Sequence, residues 1–189
     1  GVAVAFFYTG KPFANRFTGA YEETTTSGII TKVDNNRTLM EIDGVPALKK
    51  YAEWTGQNAD DLKGGNLLAA TITAPLGVKD RLGDLIAIRH PMNGNDDYSM
   101  NIGNNLAENT AIILMKGSVD QLISSVGENI QAVKQKIDAP IGALHLVHCG
   151  GRRAGIDSRI DEVVAQAKAA AGDLPFLMEF TFGEYGYED

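Results

Sequence analysis

The chain has 189 residues, 44% of them apolar and 22% charged, so it is long enough to bury a substantial core and is not composed like a disordered protein. Its formal net charge of −7 makes nucleic acid and anionic membrane surfaces poor partners, because an acidic surface repels phosphate groups. The single cysteine, Cys149, excludes a disulfide-stapled secreted domain and fits a reducing compartment such as the cytoplasm.

The first 42 residues predict antiparallel strands. Residues 2–8 are an uninterrupted apolar run, which is typical of a strand buried on both faces. The run has neither a basic segment nor a cleavage-site pattern, so we interpret it as the middle of a strand and the chain as a fragment whose upstream part has been removed. Residues 27–42 predict a hairpin, because β-branched residues flank a turn cluster at 34–36.

The middle of the chain predicts helices and further strands. Residues 44–52 indicate a helix, since proline suits its first turn and apolar residues recur at helical spacing after it. A second short helix is expected near residue 58. Residues 74–78 predict a turn or an edge strand, because proline cannot donate a ladder hydrogen bond. Strands are expected at residues 84–89, 98–102 and 110–115, with a turn at 93–96 between the first two.

The last third alternates helices and strands. Ser118 and Gln121 have the spacing of a capping box and open an amphipathic helix that Pro140 ends. A strand at 143–149, a helix capped by Asp157 or Ser158 and a strand at 175–182 follow. The pattern predicts an α+β fold: a mixed, largely antiparallel β-sheet with helices packed on it, and a C-terminal β-α-β-α-β segment.

The end of the strand at 143–149 is the strongest candidate for a binding site. Gly150 and Gly151, which follow Cys149, let the backbone turn sharply and let a ligand approach closely. Arg152 and Arg153 carry fork-shaped donors that suit a carboxylate or phosphate, and a following helix start would attract an anion. The alternative interpretation is an ordinary strand–helix loop with solvated arginines.

Cys149 also has two interpretations. Nearby arginines and a helix start would lower the pKa of a thiol and make it reactive, whereas most lone cysteines at strand ends are packing residues. His148 should face the other side of the strand and His145 should lie roughly 13 Å away, so neither reaches the sulfur, and His90 is unplaced. The spacing of histidines and cysteine fits no zinc site. We expect no catalytic residue, metal or cofactor.

A second candidate lies near the end of the chain, where Gly183 and Gly186 frame Glu184. The carboxylate could accept backbone hydrogen bonds or hold a ligand amine; the alternative is a solvent-facing glutamate in a turn. If the last strand lies beside the strand at 143–149, both candidate segments open at one edge of a sheet, where open α/β sheets bind ligands. An arginine and a glutamate there would suit an amino-acid zwitterion.

Four segments in register resemble the FIST family, the F-box and intracellular signal transduction proteins. Residues 41–51 are similar to its aspartate-glycine, proline-alanine, tyrosine helix start, and residues 74–78 to its proline-leucine-glycine segment. Residues 147–152 are similar to its cysteine-glycine-arginine strand end, and residues 180–186 to its phenylalanine-threonine, glycine-glutamate ending. The resemblance implies that residues 1–40 are the end strands of the N-terminal FIST region and residues 41–189 the C-terminal region, as one compact unit.

The resemblance implies a cytoplasmic sensory module that binds a small polar ligand, such as an amino acid or a carboxylate, without catalysis. The expected partners are that ligand, the upstream FIST region and a signalling or F-box domain, but no nucleic acid or membrane. An exposed edge strand could also pair two copies into a homodimer. Two alternatives stay open: an enzyme or redox-active domain that uses Cys149, and an adaptor domain that recruits proteins.

Overall fold

A computed structural model describes residues 4–79, 86–184 and 186. The strands are β1 (Glu22–Asp34), β2 (Thr38–Ile42), β3 (Val45–Pro46), β4 (Leu76–Lys79), β5 (Ile86–Arg89), β6 (Pro91–Gly94), β7 (Met100–Ile102), β8 (Ala111–Lys116), β9 (Leu144–Cys149) and β10 (Phe176–Thr181). The helices are α1 (Ala47–Thr55), α2 (Asn66–Thr71), α3 (Val119–Gln135), α4 (Gly150–Ile156) and α5 (Ile160–Ala171). These elements confirm the predicted α+β class.

The hairpin of β1 and β2 lies at the centre of the larger sheet. Its turn places Asn35 and Asn36 at φ values of 50° and 58°, a left-handed conformation that asparagine tolerates better than most residues. The sheet has the order β5-β4-β8-β1-β2-β7-β6, with β3 paired to β2, and all of these pairings are antiparallel. The hairpin predicted at residues 27–42 is therefore confirmed.

Helix α1 covers the larger sheet. Leu48 and Tyr51, at helical spacing, are fully buried against Leu39 and Met100 of the strands. The Tyr51 hydroxyl donates a hydrogen bond of 2.9 Å to the carbonyl of Ala74, so this large buried side chain leaves no polar atom unsatisfied. The first core is thus formed between this sheet and the chain from α1 to α2.

The second core is formed by α3, α4 and α5 against a separate sheet, in which β9 and β10 are parallel. Helices α3 and α5 approach closely at Gly127, where a Cβ atom would lie 2.9 Å from Oε1 of Gln166. The inner faces of the strands, which include Leu144 and Leu146, pack against the helices. The predicted β-α-β-α-β order is observed, but its last two strands form their own parallel pair instead of joining the larger sheet.

Two predicted elements differ in the first half. Residues 4–8 are not a strand: Val4 is 70% exposed and Tyr8 is 95% exposed, because no neighbouring strand pairs with them in the described part of the chain. Residues 2 and 3 of this predicted strand lie outside the described residues, as do residues 84 and 85 of a later one. The predicted turn at 93–96 begins as β6, an edge strand in which Pro91 takes the first position, where its missing N–H costs no ladder bond.

Two helices also differ from expectation. The helix expected near residue 58 is a series of turns, and the helix forms later, as α2. The expected glycine-arginine loop is itself helical, since α4 begins immediately after Cys149, and a 3-10 turn at Asp157–Arg159 separates it from α5. Ser118 caps α3 as predicted, accepting a 3.1 Å hydrogen bond from the backbone N–H of Gln121. Within the described ranges, none of the helices is long and apolar enough to cross a membrane.

Candidate ligand-binding site

The parallel pairing of β9 and β10 brings the two predicted segments to one edge. Cys149 lies opposite Thr181 in the register, so the start of α4 and the chain after β10 leave the sheet side by side. A Cβ atom at Gly150 would lie 2.9 Å from the carbonyl oxygen of Thr181, which explains why a glycine is needed there. Glu184 folds back over this edge, and its Oε1 accepts hydrogen bonds from Thr181 Oγ1 at 2.6 Å and from the N–H of Gly183 at 3.4 Å.

Arg152 points inward instead of towards solvent. Its Nη2 donates to the carbonyl of Leu122 at 2.7 Å and to Oγ of Ser125 at 2.6 Å, both on α3. Its Nε is buried and has no hydrogen-bond partner among the described residues. Burial lowers the pKa of Arg152, while the nearby Tyr21, Cys149 and Glu184 act in the opposite direction. A half-buried guanidinium, whose buried Nε has no partner among the described residues, therefore lies near Cys149 and Glu184.

Arg153, the next residue, is exposed. The two arginines that looked alike in the sequence thus have different surroundings, and only one of them is anchored. Helix α4 has seven residues, so its N-terminus adds little electrostatic attraction of its own. Any anion held at this edge would depend on side chains.

His148 is a candidate that the sequence interpretation set aside. It is only 5% exposed, and its ring packs edge-on against Phe180 with the ring centres 5.3 Å apart. Nδ1 lies 3.1 Å from the carbonyl oxygen of Cys149, and the buried Nε2 has no partner in the described part of the chain. Burial lowers the pKa of His148, and the charge of Arg152 lowers it further, so the ring is neutral at pH 7. Its inward position follows from strand alternation.

Tyr21 is a second residue near this site that was not predicted from the sequence. Its hydroxyl donates to the carbonyl of Ile72 at 2.9 Å, and burial raises its pKa to about 12, so it remains a neutral phenol. It lies close enough to interact electrostatically with Arg152 and Cys149. Tyr21 is far from Arg152 and Cys149 in the sequence, and a lone tyrosine before a strand does not indicate that it will lie near them.

The thiol of Cys149 has no histidine partner in the residues that the structure describes. His145 pairs with Glu179 at 2.9 Å, and the carbonyl of His90, which lies between β5 and β6, accepts a hydrogen bond from Gly103 in the other half of the fold. The half-buried thiol lies at the first turn of α4. Across the described residues, no group of three or more histidine, cysteine, aspartate or glutamate side chains could hold a metal ion.

This strand end and the helices on both sides of it lie within a region that a family model recognises. The FIST C domain model matches residues 47–187, from the first residue of α1 to beyond β10 and well over half of the chain. The chain belongs to the FIST C domain family. The predicted resemblance is confirmed, and the family indicates a sensory domain of signal-transduction proteins. No curated protein and no solved structure matches the chain.

A cleft of about 360 Å³ lies partly outside the residues matched by the FIST C domain model. It lies between residues 16–22 and α3, and its walls include Tyr21 and Ser125. Ser125 also accepts the hydrogen bond from Arg152, so it stands between the cleft and the β9–β10 edge. The cleft and the predicted site are therefore neighbours with one shared wall.

Proposed function

We propose that this FIST C domain is a non-catalytic sensory module that binds a small carboxylate-bearing ligand, such as an amino acid, at the β9–β10 edge. The observation that carries the proposal is the pair of buried, unpartnered nitrogens, Arg152 Nε and His148 Nε2. A buried polar group without a hydrogen bond costs about 1–3 kcal/mol, and an amino acid can recover that cost at both nitrogens. Its carboxylate accepts from Arg152 Nε, and its ammonium donates to His148 Nε2, which is the acceptor of the neutral ring when Nδ1 donates to the carbonyl of Cys149. Nearly all buried polar groups in proteins have a partner, which makes two orphans at one strand end informative.

The charges at the edge support a carboxylate with a nearby amine. The guanidinium of Arg152 is the cation, and its burial strengthens its attraction for an anion. Glu184 interacts electrostatically with both Arg152 and His148, and its Oε2 makes no hydrogen bond within the described residues. Gly150 is buried beneath Thr181 and Phe182, whereas a Cβ atom at Gly151 would meet only Cys149 Sγ at 3.6 Å, so the start of α4 is least obstructed at Gly151.

A sensory role fits this arrangement better than catalysis does. The one thiol at the edge has no hydrogen-bonded base in the described part of the chain, whereas nucleophilic catalysis by cysteine requires such a base or a depressed thiol pKa. Ligand binding would fix α4 and the chain after β10 relative to α3. The upstream FIST region and a signalling or F-box domain in the cytoplasm would then receive the change.

The test is a thermal-shift screen of amino acids and small carboxylates, with the matching amides as uncharged controls. A ligand at 100 times its Kd stabilises the folded state by about 2.7 kcal/mol, which for a chain of this size raises Tm by roughly 5–11 °C. The variant His148→Phe keeps the aromatic contact with Phe180 but removes the orphan nitrogen, and should lose most of the shift.

Arg153→Ala is the matched control, because it removes an exposed cation one residue from the buried one and should respond as the wild type does. Arg152→Lys keeps the positive charge but loses the paired donors of the guanidinium, so its ligand-induced shift in Tm should be small. If His148→Phe and Arg152→Lys both gave the wild-type shift, the ligand would bind elsewhere. A screen in which carboxylates and amides stabilised equally would also refute the proposal.

A further inference from the structure

The cleft beside Arg152 has one wall built by a polar stripe of α3. The stripe residues recur every three or four positions, so they lie on one face of the helix, while the buried apolar residues of α3 lie on another. The stripe is formed by Gln121, Ser124, Ser125, Glu128 and Asn129. The opposite wall is formed by Arg16, Thr18, Ala20, Tyr21 and Glu22, so its one cation faces α3 across the cleft. A polar helix face that borders a cavity of about 360 Å³, near the lower end of the usual size for ligand sites, is suited to a small polar ligand.

Two acceptors in the cleft have no donor. Oδ1 of Asn129 is buried and makes no hydrogen bond in the described structure. Glu128, its neighbour, is exposed and has no ion pair or hydrogen bond within the described ranges. Glu22 differs, because Gln121 Nε2 donates to it at 3.1 Å and Lys116 Nζ lies 3.4 Å from its other oxygen. The unmet acceptors are thus concentrated on the α3 wall.

We propose that the cleft binds a small organic amine, with its ammonium group held between the Glu128 carboxylate and Oδ1 of Asn129. An ammonium carries three donors and no acceptor, so it can serve both oxygens at once, and one of its bonds is charge-assisted. The hydroxyls of Ser124 and Thr18, which also line the cleft, can exchange hydrogen bonds with a hydroxyl on the same ligand. The ligand class is therefore a short amino alcohol or diamine.

This site is separate from the β9–β10 edge and its chemistry is the opposite. The edge offers the buried donor Arg152 Nε to a carboxylate, whereas the α3 wall of the cleft offers acceptors to an ammonium. Ser125 lies between them and already accepts the bond from Arg152 Nη2 at 2.6 Å. The two proposed ligands contact different residues, so either proposal can fail without the other.

The experiment is isothermal titration calorimetry of the chain with ethanolamine and putrescine at low salt, with ethylene glycol as the uncharged comparison. Both amines are expected to bind and ethylene glycol is not. Glu128→Gln removes the charge with little change in shape and should weaken amine binding about tenfold, a ratio that corresponds to ~1.4 kcal/mol. Asp138→Asn makes the same charge change on an exposed residue beyond the end of α3 and should leave the affinity unchanged.

A second variant tests the same contact by a gain in amine affinity instead of a loss. Asn129→Asp places a second carboxylate in the cleft and should tighten amine binding, while His148→Phe, at the other site, should not alter it. The proposal would be overturned if ethylene glycol bound as well as ethanolamine, or if Glu128→Gln kept the wild-type affinity. Binding confined to amino acids, with no binding of amines that lack a carboxylate, would equally overturn it. So would the absence of any amine binding to the folded chain.

Discussion

Removing the Arg152 side chain tests whether its inward orientation is correct. Arg152→Ala deletes two hydrogen bonds from Nη2, at 2.7 Å to the carbonyl of Leu122 and at 2.6 Å to Oγ of Ser125. Hydrogen bonds to charged groups contribute about 1.5–3 kcal/mol each. Two effects reduce the loss of stability expected from deleting both bonds. Ser125 Oγ still donates to the carbonyl of Leu122 at 3.1 Å, so neither acceptor is left alone, and the cost of burying the guanidinium is recovered.

We therefore expect Arg152→Ala to lower the free energy of unfolding by about 2–3 kcal/mol, which lowers Tm by roughly 4–12 °C in a chain of this length. The assay is urea denaturation followed by circular dichroism, with Arg153→Ala as the control. Since Arg153 is exposed, its removal should change the stability by less than about 0.5 kcal/mol.

A double-mutant cycle isolates the contact itself. Ser125→Ala removes one of the two acceptors, and the double variant Arg152→Ala/Ser125→Ala should be less destabilised than the sum of the single variants by about 1–2 kcal/mol. A coupling energy below about 0.5 kcal/mol would mean that the two side chains do not meet in solution. An Arg152→Ala variant as stable as Arg153→Ala would refute the buried orientation altogether, and with it the edge proposed as the carboxylate site.

Two further predictions concern stability. Burial lowers the pKa of His90 to about 4, below its unfolded value near 6.5. Stability should therefore fall by up to about 3 kcal/mol as the pH drops from 6.5 towards 4, and urea titrations of His90→Gln should lack that component. Gly155→Ala would press a Cβ atom onto Cγ2 of Ile72, so thermal melts should show a loss of about 1–2 kcal/mol. The Cβ atom of Gly151→Ala would meet only Cys149 Sγ at 3.6 Å, so this variant should keep the wild-type stability. Equal Tm values for the two variants would contradict the close packing of Gly155 against Ile72.

Secondary-structure elements whose formation depends on neighbouring residues in the sequence were predicted well. The β1–β2 hairpin and the cap of α3 by Ser118 depend on neighbours a few positions away, and both were predicted from the sequence. The strand expected at residues 2–8 is not formed at residues 4–8, the part that the structure describes, for the opposite reason. An apolar run becomes a strand only where another strand offers hydrogen bonds, and the sequence cannot show whether one is present.

The candidate site was predictable only in part. Sequence spacing identified the chain from Cys149 to Arg153, because two glycines before two arginines are unusual at a strand end. Spacing could not distinguish Arg152 from Arg153, since the difference lies in the carbonyl of Leu122, about 30 positions earlier on another helix. His148 was set aside by alternation, which correctly placed it away from Cys149 but gave no indication that its inner face adjoins a buried arginine.

The arrangement around Arg152 has a consequence for signalling. Its Nη2 is bonded to Ser125, which borders the cleft, while its buried Nε has no partner among the described residues. A ligand that draws the guanidinium towards the edge must weaken its bond to Ser125, and one that draws Ser125 into the cleft must do the same from the other side. By linkage, two such ligands would change each other's affinity by the same factor. The half-buried Arg152, already bonded to α3, would thus couple the two proposed sites.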